Sequence, residues 1–89
     1  MESSESLRKR LIFLAQRRST AEMEGILGDL LAKRLPQWSD EECQRLITLL
    51  QYPDLDLLDW LSGVQEPPLA VDREVLGWLA AFTRWGKPV

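Results

Sequence analysis

The chain has 89 residues, 45% of them apolar and 28% charged, with a net charge of −3; that is the balance of a small globular protein with room for one core. It contains no histidine and a single cysteine, Cys43, so the sequence offers no Ser-His-Asp or Cys-His machinery, no zinc site of its own and no internal disulfide. A lone thiol fits a reducing compartment, and a cytoplasmic location is expected.

Charge is unevenly spread. Residues 1–34 hold seven Lys/Arg against five Asp/Glu, whereas residues 35–75 hold two against nine. An acidic chain gains little from counterion release, so nucleic acid is not the expected partner. No apolar run approaches 18 residues, and the opening Met1-Glu2-Ser3-Ser4-Glu5 lacks the apolar core of a signal peptide. Residues 1–5 are expected to fray.

In the first helix Leu7, Leu11, Ile12, Leu14 and Ala15 follow a three-to-four spacing, with Ser4 or Ser6 available as cap. Arg8, Lys9 and Arg10 read as its solvated face. The stretch Arg17-Arg18-Ser19-Thr20-Ala21-Glu22-Met23-Glu24 then forms a corner between two helices. Ser19 and Glu22 have the spacing of a capping box. The second helix carries Met23, Ile26, Leu27, Leu30 and Leu31, and Lys33-Arg34 suit its C-terminus. Gly25 and Gly28 lie inside it at about 1 kcal/mol each relative to alanine. They mark either a close backbone approach or tolerated glycines.

After Leu35-Pro36-Gln37-Trp38, Ser39 to Glu42 forms a second capping box, opening a helix with Cys43, Leu46, Ile47, Leu49 and Leu50 on its stripe. Cys43 there reads as a small core residue. Asp54 is placed to cap a fourth helix containing Leu55, Leu57, Leu58, Trp60 and Leu61, which ends at Gly63 in the left-handed conformation. Residues 64–70 form a linker with paired prolines. Asp72 caps the last helix, with Val75, Leu76, Trp78, Leu79, Phe82 and Trp85, before a frayed tail at 86–89. Trp38, Trp60 and Trp78 read as core, while Trp85 is expected to be exposed. The sum is an all-α, single-domain bundle of five short helices spanning 1–89, expected to be monomeric.

The blocks Leu7-Arg8-Lys9-Arg10-Leu11-Ile12-Phe13 and Arg18-Ser19-Thr20-Ala21-Glu22-Met23-Glu24, with Leu49-Leu50-Gln51-Tyr52-Pro53-Asp54 through Trp60-Leu61, resemble the flavinator family. These are the FAD assembly factors of succinate dehydrogenase and fumarate reductase. The family signature R-G-x-x-E, commonly continued E-[LM]-D, falls on Arg18 and Glu22, with Ser19 in place of the glycine and Glu24 in place of the aspartate. The second block matches P-D-x-x-L-x-x-W. The resemblance spans roughly residues 7–85.

The resemblance implies a helper rather than an enzyme. It would bind the flavoprotein subunit, whose own histidine joins the 8α-methyl carbon of FAD, and would itself hold no cofactor stably. Arg18 would pair with a client carboxylate or a developing negative charge, Glu22 would buttress it, and Arg17, Ser19 and Glu24 would complete the partner-binding corner. No catalytic and no metal-binding residue is assigned. Other readings are a small helical antitoxin or adaptor using the same corner, an RNA-binding domain using Arg8 to Arg18 and Arg34, and an enzyme built on carboxylates alone, against which Asp54, Asp56 and Asp59 read as a capped, solvated helix edge.

Overall fold

Side-chain caps set where four of the five described helices begin. In a computed structural model, which describes residues 2–83, helix α1 runs Ser4–Gln16, α2 Ala21–Arg34, α3 Asp40–Leu49, α4 Asp54–Ser62 and α5 Arg73–Ala80. A single 3-10 turn, Leu35–Gln37, joins α2 to α3. The described residues contain no strand, so the fold is all-α with five helices, as the apolar periodicity predicts. Helix α1 lies across α3 and α2, and α5 closes against α2, α3 and α4.

Three of the expected caps form as read. The Glu42 N–H donates to Ser39 Oγ at 3.2 Å while Glu42 Oε1 accepts from the Ser39 N–H at 2.9 Å, a complete capping box. Asp72 accepts from the Val75 N–H at 3.3 Å, and Gly63 ends α4 at φ +82°. Helix α1 is capped by Ser3 rather than by the expected Ser4 or Ser6: Ser3 accepts from the Ser6 N–H, so helical order reaches into the stretch 1–5.

Two further caps differ. Thr20, not Ser19, caps α2 by accepting from the Met23 N–H at 3.2 Å, and Glu22 forms no capping box with Ser19. Pro53 is the N-cap of α4, and Asp54 is its first helical residue with a carboxylate turned away from the helix's own amides. In both cases a contact from another element claims the side chain that local spacing assigned to a cap.

The stripes converge on one core. Leu11, Met23, Leu27, Cys43, Leu46, Leu57, Val75 and Leu79 are fully enclosed, each large side chain contributing roughly 1.5–3 kcal/mol by leaving water. Burial pushes the Cys43 thiol above its ordinary range, so it is a core residue as its position in α3 predicts. Trp38 and Trp60 are buried. Trp78 is half-buried and stacks on Trp38 with ring centroids 5.1 Å apart, and Tyr52 meets Trp60 edge-on at the same separation. Trp85 lies outside the described residues. Ile12 and Leu55 sit on the predicted stripes yet face solvent, Leu55 with 68% of its surface open, and Phe13 beside Ile12 is exposed as well.

Three arginines staple the helix connections. Arg8 on α1 donates to the carbonyl of Leu35 at 2.8 Å and to that of Trp38, bracing the α2–α3 turn. Sequence spacing placed Arg8 on a solvated face; the orphan carbonyls at the end of α2 and the following turn draw it inward instead. Arg45 on α3 forks onto Asp72 at 2.8 and 2.9 Å, reaches Glu74 at 2.6 Å and lies over the Trp78 ring. The third staple, Arg18, belongs to the corner.

The glycines of α2 are not required by its packing. A Cβ at Gly25 or Gly28 would meet nothing within 4 Å. Gly25→Ala and Gly28→Ala are each expected to stabilise the fold by about 0.5–1 kcal/mol, measured as a rise in the urea midpoint at constant m-value.

Candidate functional site

The corner between α1 and α2 is built around one carboxylate from 35 residues away. Arg17 caps α1, its N–H donating to the Leu14 carbonyl at 3.3 Å. The chain then turns sharply enough that the N–H groups of both Ser19 and Thr20 point at Asp54 Oδ2, at 2.8 and 3.1 Å. Both hydroxyls lie 3.3 Å from the same oxygen and donate to it. Asp54 Oδ1 accepts from Arg18 Nε at 2.6 Å.

The remaining guanidinium nitrogens of Arg18 donate to the carbonyls of Leu50 and Tyr52, at 3.1 and 3.2 Å. Those carbonyls lie in the turn between α3 and α4, past the reach of any intrahelical donor. One arginine and one aspartate thus join the α1–α2 corner, the end of α3 and the start of α4.

Burial makes the pair consequential. The side chains of Arg18 and Asp54 are only 8% and 1% exposed. Burial alone would raise the Asp54 carboxyl, but the Arg18 hydrogen bond, the amides of Thr20 and Ser19 and the nearby positive charge together hold it below the usual carboxylate range. Asp72 is likewise held down, first by the Arg45 hydrogen bond.

A pH dependence follows. A carboxyl whose folded value lies below its unfolded value stabilises the fold above about pH 4 and loses that contribution as pH falls toward the folded value. With no histidine in the chain, stability is expected to stay level from pH 7 to 5 and to drop below about pH 4. Urea melts at pH 7, 5 and 3 check this, and Asp54→Asn is expected to flatten the acid limb.

The sequence-predicted residues separate into two groups. Arg18 was expected to present a free fork to a partner. Instead each of its three nitrogens is committed within the chain, because the Leu50 and Tyr52 carbonyls after α3 and the Asp54 carboxylate lie in reach. Glu22 does not buttress Arg18; it is exposed in the first turn of α2, beside exposed Ser19 and Glu24. Arg17 is exposed and stacks over the Phe13 ring, 5.1 Å from its centroid.

Ser19 adopts no positive φ, so a Cβ at the glycine position of the signature is accommodated without backbone strain. Sequence reading assigned Asp54 to a cap and so missed its place at this site. The available signal was a carboxylate beside Pro53, whose lone N-cap role is easily replaced.

The family described as flavinator of succinate dehydrogenase matches residues 9–83, a span that includes the corner and Asp54. Two proteins named mitochondrial succinate dehydrogenase assembly factor 2 are similar. That of Cryptococcus neoformans var. neoformans serotype D (strain B-3501A) is 34% identical over 67 residues, 75% of this chain and 38% of the relative. That of Dictyostelium discoideum is 29% identical over 72 residues, 81% of this chain and 51% of the relative. The matched stretch therefore spans about half or less of these relatives' lengths. No solved structure matches at a significant level. Among the described residues no helix is long and apolar enough to cross a membrane. A family match over most of the chain, with two similar assembly factors, establishes that this protein belongs to the succinate dehydrogenase flavinator family.

Proposed function

We propose that this chain binds the flavoprotein subunit of succinate dehydrogenase or fumarate reductase and promotes covalent attachment of FAD to a histidine of that subunit. The observation that carries the reading is the corner itself, a turn fixed by a buried ion pair that leaves Arg17, Ser19, Glu22 and Glu24 facing outward. Those four residues form the docking surface, and Arg18 supports it from beneath.

The chain acts without catalysing the chemistry. It has no histidine to offer as the flavin's anchor, and FAD stays with the client. Its contribution is differential binding of the client conformation in which histidine and flavin meet. Electrostatics suit such a task, since exposed charges of both signs at one corner set orientation and encounter rate more than affinity. Exposed Phe13 with Arg17 stacked on it, and Leu55 beside Asp54, supply the aromatic, arginine and apolar groups that anchor interfaces. The outer face of α2, with open space over Gly25 and Gly28, lets a partner backbone approach closely. The protein works as a cytoplasmic monomer.

In-gel flavin fluorescence of an apo flavoprotein subunit, incubated with FAD with and without this protein, tests the reading. Faster appearance of the covalent flavin band is expected. An unchanged band, or capture of a small membrane toxin in place of a flavoprotein, would sink it.

A further inference from the structure

The Arg18–Asp54 pair is an expensive way to hold a corner. Thr20 already caps α2, and Asp54 on the outside of α4's first turn would gain from the helix dipole without leaving water. Instead the carboxylate is taken almost wholly out of solvent, its side chain 1% exposed. Buried ion pairs of this kind contribute little net stability against an apolar alternative, and their better-attested use is to fix one geometry.

The geometry fixed here is specific. Asp54 Oδ2 gathers two successive backbone N–H groups, at Ser19 and Thr20, while Oδ1 takes Arg18 Nε. Two amides on one oxygen set the peptide planes on both sides of Ser19, and so the direction in which Arg17 leaves and Glu22 and Glu24 enter. No other described group reaches both amides.

We infer that Asp54 is a positioning residue for client docking: by clamping the Ser19 and Thr20 amides it presets the relative placement of Arg17, Glu22 and Glu24, and binding to the flavoprotein depends on that clamp beyond its effect on stability. The inference rests on the docking reading above. It adds a residue, 30 positions beyond Glu24 in sequence, that never touches the client.

Asp54→Asn tests it. An asparagine fills the same space but presents only one oxygen. It can accept from Arg18 or from the corner amides, while its own N–H₂ opposes the other set of donors. The substitution is made alongside Gly77→Ala on α5, where an added Cβ meets nothing within 4 Å, so that the helix gain offsets part of the loss. Gly77→Ala alone serves as the reference protein.

The dissociation constant for the apo flavoprotein subunit is measured at 10 °C, and the folded fraction is taken from urea titration at the same temperature. A merely structural role requires the apparent dissociation constant to rise only by the reciprocal of the folded fraction. The clamp requires a further rise of at least tenfold after that correction, with the amide resonances of Ser19 and Thr20 displaced. A corrected affinity within tenfold of the reference overturns the inference, whatever the folded fraction. Failure of the Gly77→Ala reference to bind any flavoprotein would instead overturn the docking reading on which it rests.

Discussion

Arg18→Ala is expected to cost about 3–5 kcal/mol of folding stability at pH 7, because it strands a buried carboxylate. The side chain that remains, Asp54, is 1% exposed and keeps only the corner's own amides and hydroxyls. The carbonyls of Leu50 and Tyr52 lose their side-chain donor as well. For a chain of this size the loss is a large part of a total of roughly 5–13 kcal/mol and corresponds to a fall in Tm on the order of 20 °C. The deficit should shrink as pH falls, because the stranded Asp54, no longer held down by Arg18, takes a proton more readily in the fold. Thermal melts at pH 7 and pH 3 check both halves. A deficit under 1 kcal/mol at both values would mean that the guanidinium is free in solution. Lost flavinylation in this variant is therefore read only against its folded fraction.

Glu22→Ala is expected to do the opposite: abolish promotion of FAD attachment while leaving the fold nearly intact. Glu22 is exposed, and its structural contribution is that of an acid in the first turn of α2, about 0.3–1 kcal/mol. Tm should fall by no more than about 8 °C, with far-UV circular dichroism unchanged. Covalent flavin on the client, followed by in-gel fluorescence, should drop to the level seen without the helper. Retained flavinylation would remove Glu22 from the docking surface, and a collapse in Tm would make it a structural residue. Two positions four apart in one signature thus fail for different reasons, one from beneath the corner and one from its outer face.

Local pattern carried most of the fold. The helices, the Ser39–Glu42 box, the Asp72 cap and the Gly63 stop all depend on residues within four positions of one another, and a three-to-four period reports that range directly. What spacing could not report is a partner on another element. Ser19 and Glu22 satisfy the capping-box pattern equally well whether or not Asp54 arrives to claim the Ser19 amide. Arg8 satisfies the pattern of a solvated face equally well whether or not the Leu35 carbonyl lies within its reach. The same limit explains Leu55. Its place on an apolar stripe is legible, but whether another helix covers that end of α4 depends on how the bundle closes.

The three arginine staples bridge 27 to 36 positions of sequence. Contacts of that reach form only after loop closure and helix docking have been achieved. They are therefore poor initiators of folding and good latches once it is complete. Interactions made after the folding barrier act chiefly on the escape rate from the native state. A chain this small thereby gains persistence: its corner holds shape longer than its modest core alone would sustain.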